Sequence, residues 1–528
     1  MTRTEQGVAR AGRGGLAVLA AKVFFILTGL VQQALLPRLT SQADYGALSR
    51  VLAVSNVLNN LVVASSTQGV SRTVAAAGAA ERRALRAVLR VHLVLALAAA
   101  ALLAVSAPFL VHFQHAPDML APLLTMTFVL GAYGLYAPLV GYLNGRAQFT
   151  KQAALDMIAA TLRTIGLLGC GYLFMRHAVG LAAALGTSPG VLGAAVGAGL
   201  AVLGVFVVAV TWTGWGEKGS GIAAGVPTAR VYVALIVPVM VAQLFTNGLM
   251  QADIFVLGRY LSLDAEAAHL TDHAKVANEW VAAYRACQLF AFLPYQLLFS
   301  VTQVLFPMLA RAKAEEGPAR VAELVRRGSR IGAIVCGMLV TVIVAMPYSL
   351  LDFAYGAKVA GEGMDALHVL GIGQGAFAML GLATTILVSL GRERDAMALT
   401  AVGLLLLVGS CVVTIPAAGF GEAKLVATAV AVTGALFLTL AVAAVRVRQL
   451  SGAFVPLKTA LRVTACIGAA FVAGKFLPHF GKLLTPVVAT VLVGGYLVVL
   501  VVTGELGKDD LSLALSVANR QRGRNAAK

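Results

Sequence analysis

Apolar residues run in stretches of about twenty along nearly the whole chain, separated by short polar or basic breaks. A helix rising 1.5 Å per residue needs about twenty such residues to cross the ~30 Å hydrocarbon layer, so the pattern predicts membrane spans and not one buried core. About fourteen spans are expected by this length rule, at 14–38, 47–74, 88–112, 119–144, 152–175, 189–213, 231–259, 279–309, 329–353, 364–390, 396–416, 423–445, 459–478 and 483–503. The expected fold class is an all-α polytopic membrane protein.

Polar residues inside these runs recur at helical spacing. The first span carries Lys22, Gly29 and Gln33 on one face, and the second carries Asn56, Asn60, Thr67 and Ser71. The eighth carries Arg285, Gln288, Phe292, Gln296, Phe299 and Gln303, stepping by three or four throughout. Such stripes are costly against lipid and must face water or another helix. One reading is interhelical hydrogen bonding; the other, favoured for three stripes together, is a shared polar cavity.

A charge at mid-membrane costs about 2.5–3.5 kcal/mol on insertion scales, so each needs a reason. Lys22, Arg163 and Arg285 lie deep in their spans, whereas Arg50 and Arg72, near span ends, can also snorkel to the interface. The intramembrane acids are Asp156, seven residues before Arg163, Asp253 in the seventh span, and Asp352. Asp253 and Arg285 match in depth, which allows an ion pair or, functionally, a pair that opens for an anion or a coupling cation.

Composition agrees with the pattern: 59% of the 528 residues are hydrophobic and 12% charged, with a mean hydropathy of +0.86, which excludes a soluble enzyme. The net charge of +18 would suggest nucleic acid in a soluble protein; here no nucleic-acid partner is expected. Lys and Arg gather in alternate loops, notably Arg82, Arg83, Arg86 and Arg90, then 311–330 and 446–462. Such loops resist translocation, so both termini are expected in the cytoplasm. Arg3, Arg10 and Arg13 precede a first span read as retained. The basic tail, ending Arg520, Arg522, Arg524 and Lys528, is expected to sit on anionic lipid.

Five cysteines, all within apolar runs and without CxxC spacing, predict neither disulfides nor a zinc site. His112 with His115, and His269 with His273, lack a third ligand, so no metal is expected and these pairs read as outer-loop residues. No phosphate-gripping GxxxxGK[ST] motif is present, and the longest outer loop, 260–278, leaves no room for an extramembrane catalytic domain. No enzyme and no cofactor are expected, with drive from H+, Na+ or the membrane potential.

The second and eighth spans end alike, in Thr67-Gln68 before Ala75 and Thr302-Gln303 before Ala310, and the same offset carries Glu81 onto Glu316. The fourth and tenth both finish in Gly-Arg, at Gly145-Arg146 and Gly391-Arg392. Six spans separate the equivalents, which predicts a parallel repeat about an axis along the membrane normal, with a path between the halves. The expected domains are an N-terminal lobe at 1–230, a C-terminal lobe at 231–450, and two further helices with the basic tail at 451–528.

Several segments resemble the O-antigen and lipid II flippase group of the multidrug/oligosaccharidyl-lipid/polysaccharide exporter superfamily. They are Leu36-Pro37-Arg38-Leu39 with Asp44-Tyr45-Gly46, and Asp253 with Leu257-Gly258-Arg259-Tyr260-Leu261-Ser262. Tyr284-Arg285-Ala286 through Leu293-Pro294 to Leu305-Phe306-Pro307 is similar too, as are Tyr355-Gly356 with 366–370 and Gly391-Arg392. The stretch from Asp264 to Glu279 departs from the family, which turns quickly there.

The resemblance implies two pseudo-symmetric six-helix lobes alternating access around a central cationic cavity lined by the first, second, seventh and eighth helices, plus two C-terminal helices. It also implies translocation of a polyprenyl diphosphate-linked oligosaccharide across the bacterial cytoplasmic membrane for surface polysaccharide assembly. Lys22, Arg50, Arg163 and Arg285 are then the candidates for the diphosphate. Asn56, Asn60, Gln288, Gln296 and Gln303 are candidates for the sugar, and Asp253 and Asp156 for ion coupling. The partners implied are the lipid-linked glycan and other polysaccharide assembly proteins. A cation-coupled multidrug exporter of the same fold is the alternative, and a membrane polysaccharide polymerase or ligase a more distant one.

Overall fold

The computed structural model describes residues 3–216 and 227–507, and among these the regular structure is helical throughout. The helices are α1 (Arg3–Leu39), α2 (Gln42–Ala77), α3 (Glu81–Gln114), α4 (Leu120–Gly145), α5 (Phe149–His177), the short α6 (Val179–Ala184), α7 (Pro189–Thr213) and α8 (Ala229–Ala267). They continue with α9 (His273–Ala291), α10 (Leu293–Glu315), α11 (Pro318–Ala345), the short α12 (Pro347–Tyr355), α13 (Ala357–Ser389), α14 (Glu393–Ala417), α15 (Glu422–Ser451), α16 (Leu457–Gly474) and α17 (Thr485–Val502).

Twelve described helical runs are long and apolar enough to cross a membrane, and the chain is a multi-pass membrane protein. One run, Gln42–Gln114, contains both α2 and α3, and the apolar stretch of α1, Val23–Leu39, is shorter than the rest. The expected fourteen spans are therefore not reproduced as fourteen separate runs.

Three segments depart from expectation. The span expected at 279–309 is broken at Phe292 between α9 and α10, because Pro294, in the first turn of α10, has no N–H to continue the ladder. Gln288 and Gln296 thus fall on different helices. Likewise Pro347 ends α11 and starts α12, dividing the span expected at 329–353. The stretch read as a long outer loop is mostly helix: α8 continues to Ala267 and α9 resumes at His273.

The chain forms two compact units, Met1–Arg285 with Leu404–Thr428, and Ala286–Gly403 with Ala429–Lys528. In the first unit, Val70, Val74, Leu89, Leu139, Leu143 and Ile236 fill one core, and Val51, Val62, Leu103, Leu123, Leu130 and Val202 fill another. Helices in lipid associate by close packing and hydrogen bonds, which favours small residues at their contacts. At the crossing of α5 and α7 a Cβ on Gly197 would fall 2.0 Å from the Gly166 carbonyl oxygen, so only glycine permits this approach.

In the second unit, Ile334 of α11, Val463 of α16, and Tyr496 and Leu500 of α17 form a core in which the Tyr496 hydroxyl donates to the Ile334 carbonyl at 3.0 Å. Glu505, just beyond α17, accepts from Arg330 Nε at 2.8 Å, Arg462 Nη1 at 2.7 Å and Thr459 Oγ1 at 2.6 Å. Burial alone would raise its pKa, but the Thr459, Arg330 and Arg462 hydrogen bonds together hold it below the ordinary carboxylate value.

Candidate functional site

Helix α2 carries the densest polar segment of the first unit. Asn56 and Asn59, with Ser55, line a cavity of about 50 Å³ closed by Met126, Leu130 and Tyr133 of α4, Arg163 and Leu167 of α5, and Ala198 of α7. That volume exceeds the ~10–15 Å³ needed for one water, so the cavity is wide enough for several waters or a small polar group. It brings together Asn56 and Arg163, two residues expected to act on substrate. Arg163 is half-buried and makes no hydrogen bond or ion pair with any described residue, while the Asn59 Oδ1 is buried without a partner. A guanidinium beside unpaired amide groups can bind and orient an anionic or hydroxyl-bearing ligand.

Asn60 faces another way, donating from Nδ2 to Asn247 Oδ1 of α8 at 2.7 Å. Asn247 in turn donates to the Gln243 carbonyl at 2.8 Å and to its Oε1 at 3.1 Å. Gln243, Asn247 and Gln251 step by four along α8, a stripe absent from the candidates named from the sequence. The same period that revealed Asn56 and Asn60 was legible there.

Arg50 is 1% exposed and lies among protein groups. Its Nη1 donates to Ser262 Oγ at 3.0 Å and Asn278 Oδ1 at 3.1 Å, and its Nη2 to the Gln114 carbonyl at 2.8 Å and Gln114 Oε1 at 2.9 Å. Asn278 donates onward to Asp118 Oδ2 at 3.1 Å. Arg50 therefore ties α2 to α8, α9 and the end of α3, with only Nε unpartnered; this is neither snorkelling nor an open anion site.

Asp253 is 1% exposed and accepts from the Tyr284 hydroxyl at 2.9 Å and from the Ile254 N–H at 2.8 Å. Arg285, beside Tyr284 on α9, and Asp156 on α5 are both half-buried. In the second unit Gln288 is fully buried, Gln296 half-buried and Gln303 exposed. The side chain of Lys22 and the tail beyond Gly507, with Arg520, Arg522, Arg524 and Lys528, lie outside the described residues.

The stretch around Asp264 has a use that sequence reading missed. Lys424, 0% exposed, pairs with Asp264 Oδ2 at 2.9 Å and donates to the Ile415 carbonyl at 3.0 Å, joining the end of α8 to the start of α15 and the last turn of α14. His115 Nδ1 lies 3.0 Å from Glu266, and no group of three metal-ligating side chains occurs among the described residues.

A family model described as polysaccharide biosynthesis protein matches residues 11–313, more than half of the chain and all of the segment that holds the cavity, the amide chain and Arg50. The chain belongs to this family. Its fold is that of the exporter superfamily. A solved structure of the lipid II flippase MurJ in an inward closed conformation superposes with a TM-score of 0.67 at 11% identity, covering 94% of this chain and 99% of that one. An inward-facing multidrug resistance transporter of the MATE family gives 0.60 at 15% identity, covering 83% and 99%. A superfamily transporter from Pyrococcus furiosus, described as having a binding pocket of reversed polarity, gives 0.53 at 14% identity, covering 84% and 96%. No curated protein sequence matches significantly.

Proposed function

We propose that the protein is a transporter, not an enzyme, that moves a polyprenyl diphosphate-linked oligosaccharide across the bacterial cytoplasmic membrane by alternating access of lobes 1–230 and 231–450. The observation that carries this reading is the meeting of Arg163 with Asn56 and Asn59 in one cavity, within the part of the chain that the polysaccharide family model covers. The cargo has an anionic head, a polar glycan and an apolar tail, and moving it requires cations and amides in a wetted path through lipid.

In this scheme Lys22, Arg163 and Arg285 hold the diphosphate, and Asn56, Asn60, Gln288, Gln296 and Gln303 meet sugar hydroxyls. Arg50, with both Nη groups held by its own neighbours, positions α2. Asp253 and Asp156 are the coupling carboxylates for H+ or Na+, or respond to the membrane potential. The partners are the lipid-linked glycan, anionic lipid under the basic tail, other polysaccharide assembly proteins and no nucleic acid. Both termini lie in the cytoplasm.

The test is depletion in the native host followed by mass spectrometry of polyprenyl-linked intermediates. The expected result is accumulation of a complete lipid-linked repeat unit with loss of one surface glycan, restored by the wild-type chain and not by Arg163→Gln or Arg285→Ala. Unchanged intermediates with new sensitivity to cationic drugs would overturn it in favour of drug export, the reading that the MATE fold match supports.

A further inference from the structure

A chain of hydrogen bonds crosses the first unit at His92, which neither the cavity nor the Arg50 cluster includes. His92 of α3 is 1% exposed, and its two partners, Ser66 of α2 and Tyr232 of α8, are 0% and 1% exposed. His92 Nδ1 lies 3.0 Å from Ser66 Oγ, and Nε2 lies 2.6 Å from the Tyr232 hydroxyl. Ser66 Oγ itself donates to the Val62 carbonyl at 2.5 Å.

The direction of each proton follows. Among the described residues the Tyr232 hydroxyl has only His92 as an acceptor, so it donates to Nε2. Nδ1 then carries the ring proton and donates to Ser66 Oγ, whose own proton goes to Val62. The opposite tautomer would leave the Tyr232 proton without an acceptor in a dry core. Every donor is matched in the neutral state, and the Tyr232 proton has one acceptor, His92 Nε2.

A second proton on the imidazole breaks this balance. Imidazolium donates from both nitrogens, so Tyr232 must accept and its own proton loses its partner. The side chains around it include the apolar Val70, Leu89, Leu139 and Ile236, and the Tyr232 hydroxyl has no second hydrogen-bond partner among the described residues. Of the titratable groups on the helices packed about His92, α4 places Tyr133, Tyr136 and Tyr142 in or against that core, and α2 and α8 add only Tyr232. The charged Arg72, Arg90 and Arg230 of the same helices are exposed. Glu81, at the start of α3, is half-buried and pairs with Arg146.

The bond sits at a close approach of α2 and α8. A Cβ on Gly69 would fall 2.4 Å from Ile236 Cγ2 and 3.0 Å from the Tyr232 hydroxyl, so the glycine lets the first turns of α8 pack tightly against α2. Tyr232 lies in the first turn of α8, after the cap in which Thr228 Oγ1 accepts from the Val231 N–H. Losing its partner, Tyr232 can regain one only by moving toward water, taking the start of α8 with it.

We propose that His92 is a proton-binding site of the transport cycle: protonation releases Tyr232 and frees the first turns of α8 from α2 and α3. The inference rests on the transport reading for its purpose but not for its geometry. It differs from coupling at Asp253 or Asp156, because here the group that accepts the proton is also the clasp between helices.

Hydrogen–deuterium exchange of the full chain in lipid nanodiscs, at pH values from about 8 down to about 4 with exchange times scaled for the intrinsic rate, reads the clasp without any substrate. In the wild type, amides of 229–240 should exchange about tenfold faster at the acid end, as local opening predicts. Tyr232→Phe, which keeps the ring and removes the hydroxyl, should exchange fast at both ends. His92→Gln, which cannot gain a charge, should show no pH step in 229–240. A wild type without the step, or a His92→Gln or Tyr232→Phe protein that keeps the full step, would overturn the proposal. If His92→Gln does not fold, the wild type and Tyr232→Phe still decide it. Failure of the depletion experiment above would remove the glycan cargo and leave this result untouched.

Discussion

Glu81 Oε1 stands 3.1 Å from Arg146 Nε, linking the first residue of α3 to the residue after α4. The Tyr142 hydroxyl donates to the same carboxylate oxygen at 3.5 Å and accepts from Arg146 Nη1 at 3.3 Å. The offset that carries Glu81 onto Glu316 in the sequence leads to a different set of contacts at the second position. There Glu316 pairs with Arg320 at 3.2 Å, and the loop after α13 is held by Lys313 donating to the Leu390 carbonyl at 2.6 Å. The Glu81 and Arg146 side chains are 26% and 36% exposed, which limits the pair to about 0.2–1 kcal/mol. A double-mutant cycle with Glu81→Gln and Arg146→Gln, read by thermal unfolding, should return a coupling in that range and lose it at high salt.

Arg50 is the most demanding buried charge of the first unit. Arg50→Ala leaves Gln114, Asn278 and Ser262 facing an empty volume and should cost about 3–5 kcal/mol, seen as a large fall in melting temperature or loss of a monodisperse protein. Arg50→Lys should recover little, because one ammonium cannot reproduce a guanidinium that bonds to Ser262, Asn278 and Gln114 together.

Lys424→Met should destabilise by about 1.5–3 kcal/mol, since it removes the bonds to Asp264 and Ile415 while preserving length. Asp264→Asn should cost less, because the amide still accepts from the ammonium. Thermal unfolding of the two variants in one detergent separates these outcomes.

Glu505 makes the contact of α16 and α17 with α11 sensitive to acid. Its folded pKa lies below the ordinary value, so its stabilisation is complete above that value and is lost as pH falls through the folded one. The melting-temperature advantage of wild type over Glu505→Gln should be largest near neutral pH, equivalent to about 1–3 kcal/mol, and should shrink from about pH 4.5 downward.

Asn247→Leu should impair transport more than Asn60→Leu. Removing Asn247 leaves both Asn60 and Gln243 without an amide partner, whereas removing Asn60 leaves the Asn247–Gln243 bonds in place. Export assayed at matched membrane abundance tests the order.

The sequence by itself determined the membrane class, the approximate extent of most helices, and the polar stripe of α2, because hydrophobic length and helical period are local properties; that Asn56 lines the cavity while Asn60 turns to Asn247 was decided by packing. It also placed Arg163 as a charge needing a polar surrounding, which the cavity with Asn56 supplies. Where a helix breaks at a proline inside an apolar run, as at Phe292 and Met346, hydrophobicity alone reads straight through. Only the tertiary structure decided which polar groups satisfy one another. Arg50 meets Asn278, and His92 meets Ser66 and Tyr232, across separations of up to 228 positions. In a lipid-facing protein each such group must find a partner, but the partner is chosen by helix packing, and the packing direction is not written in any one helix.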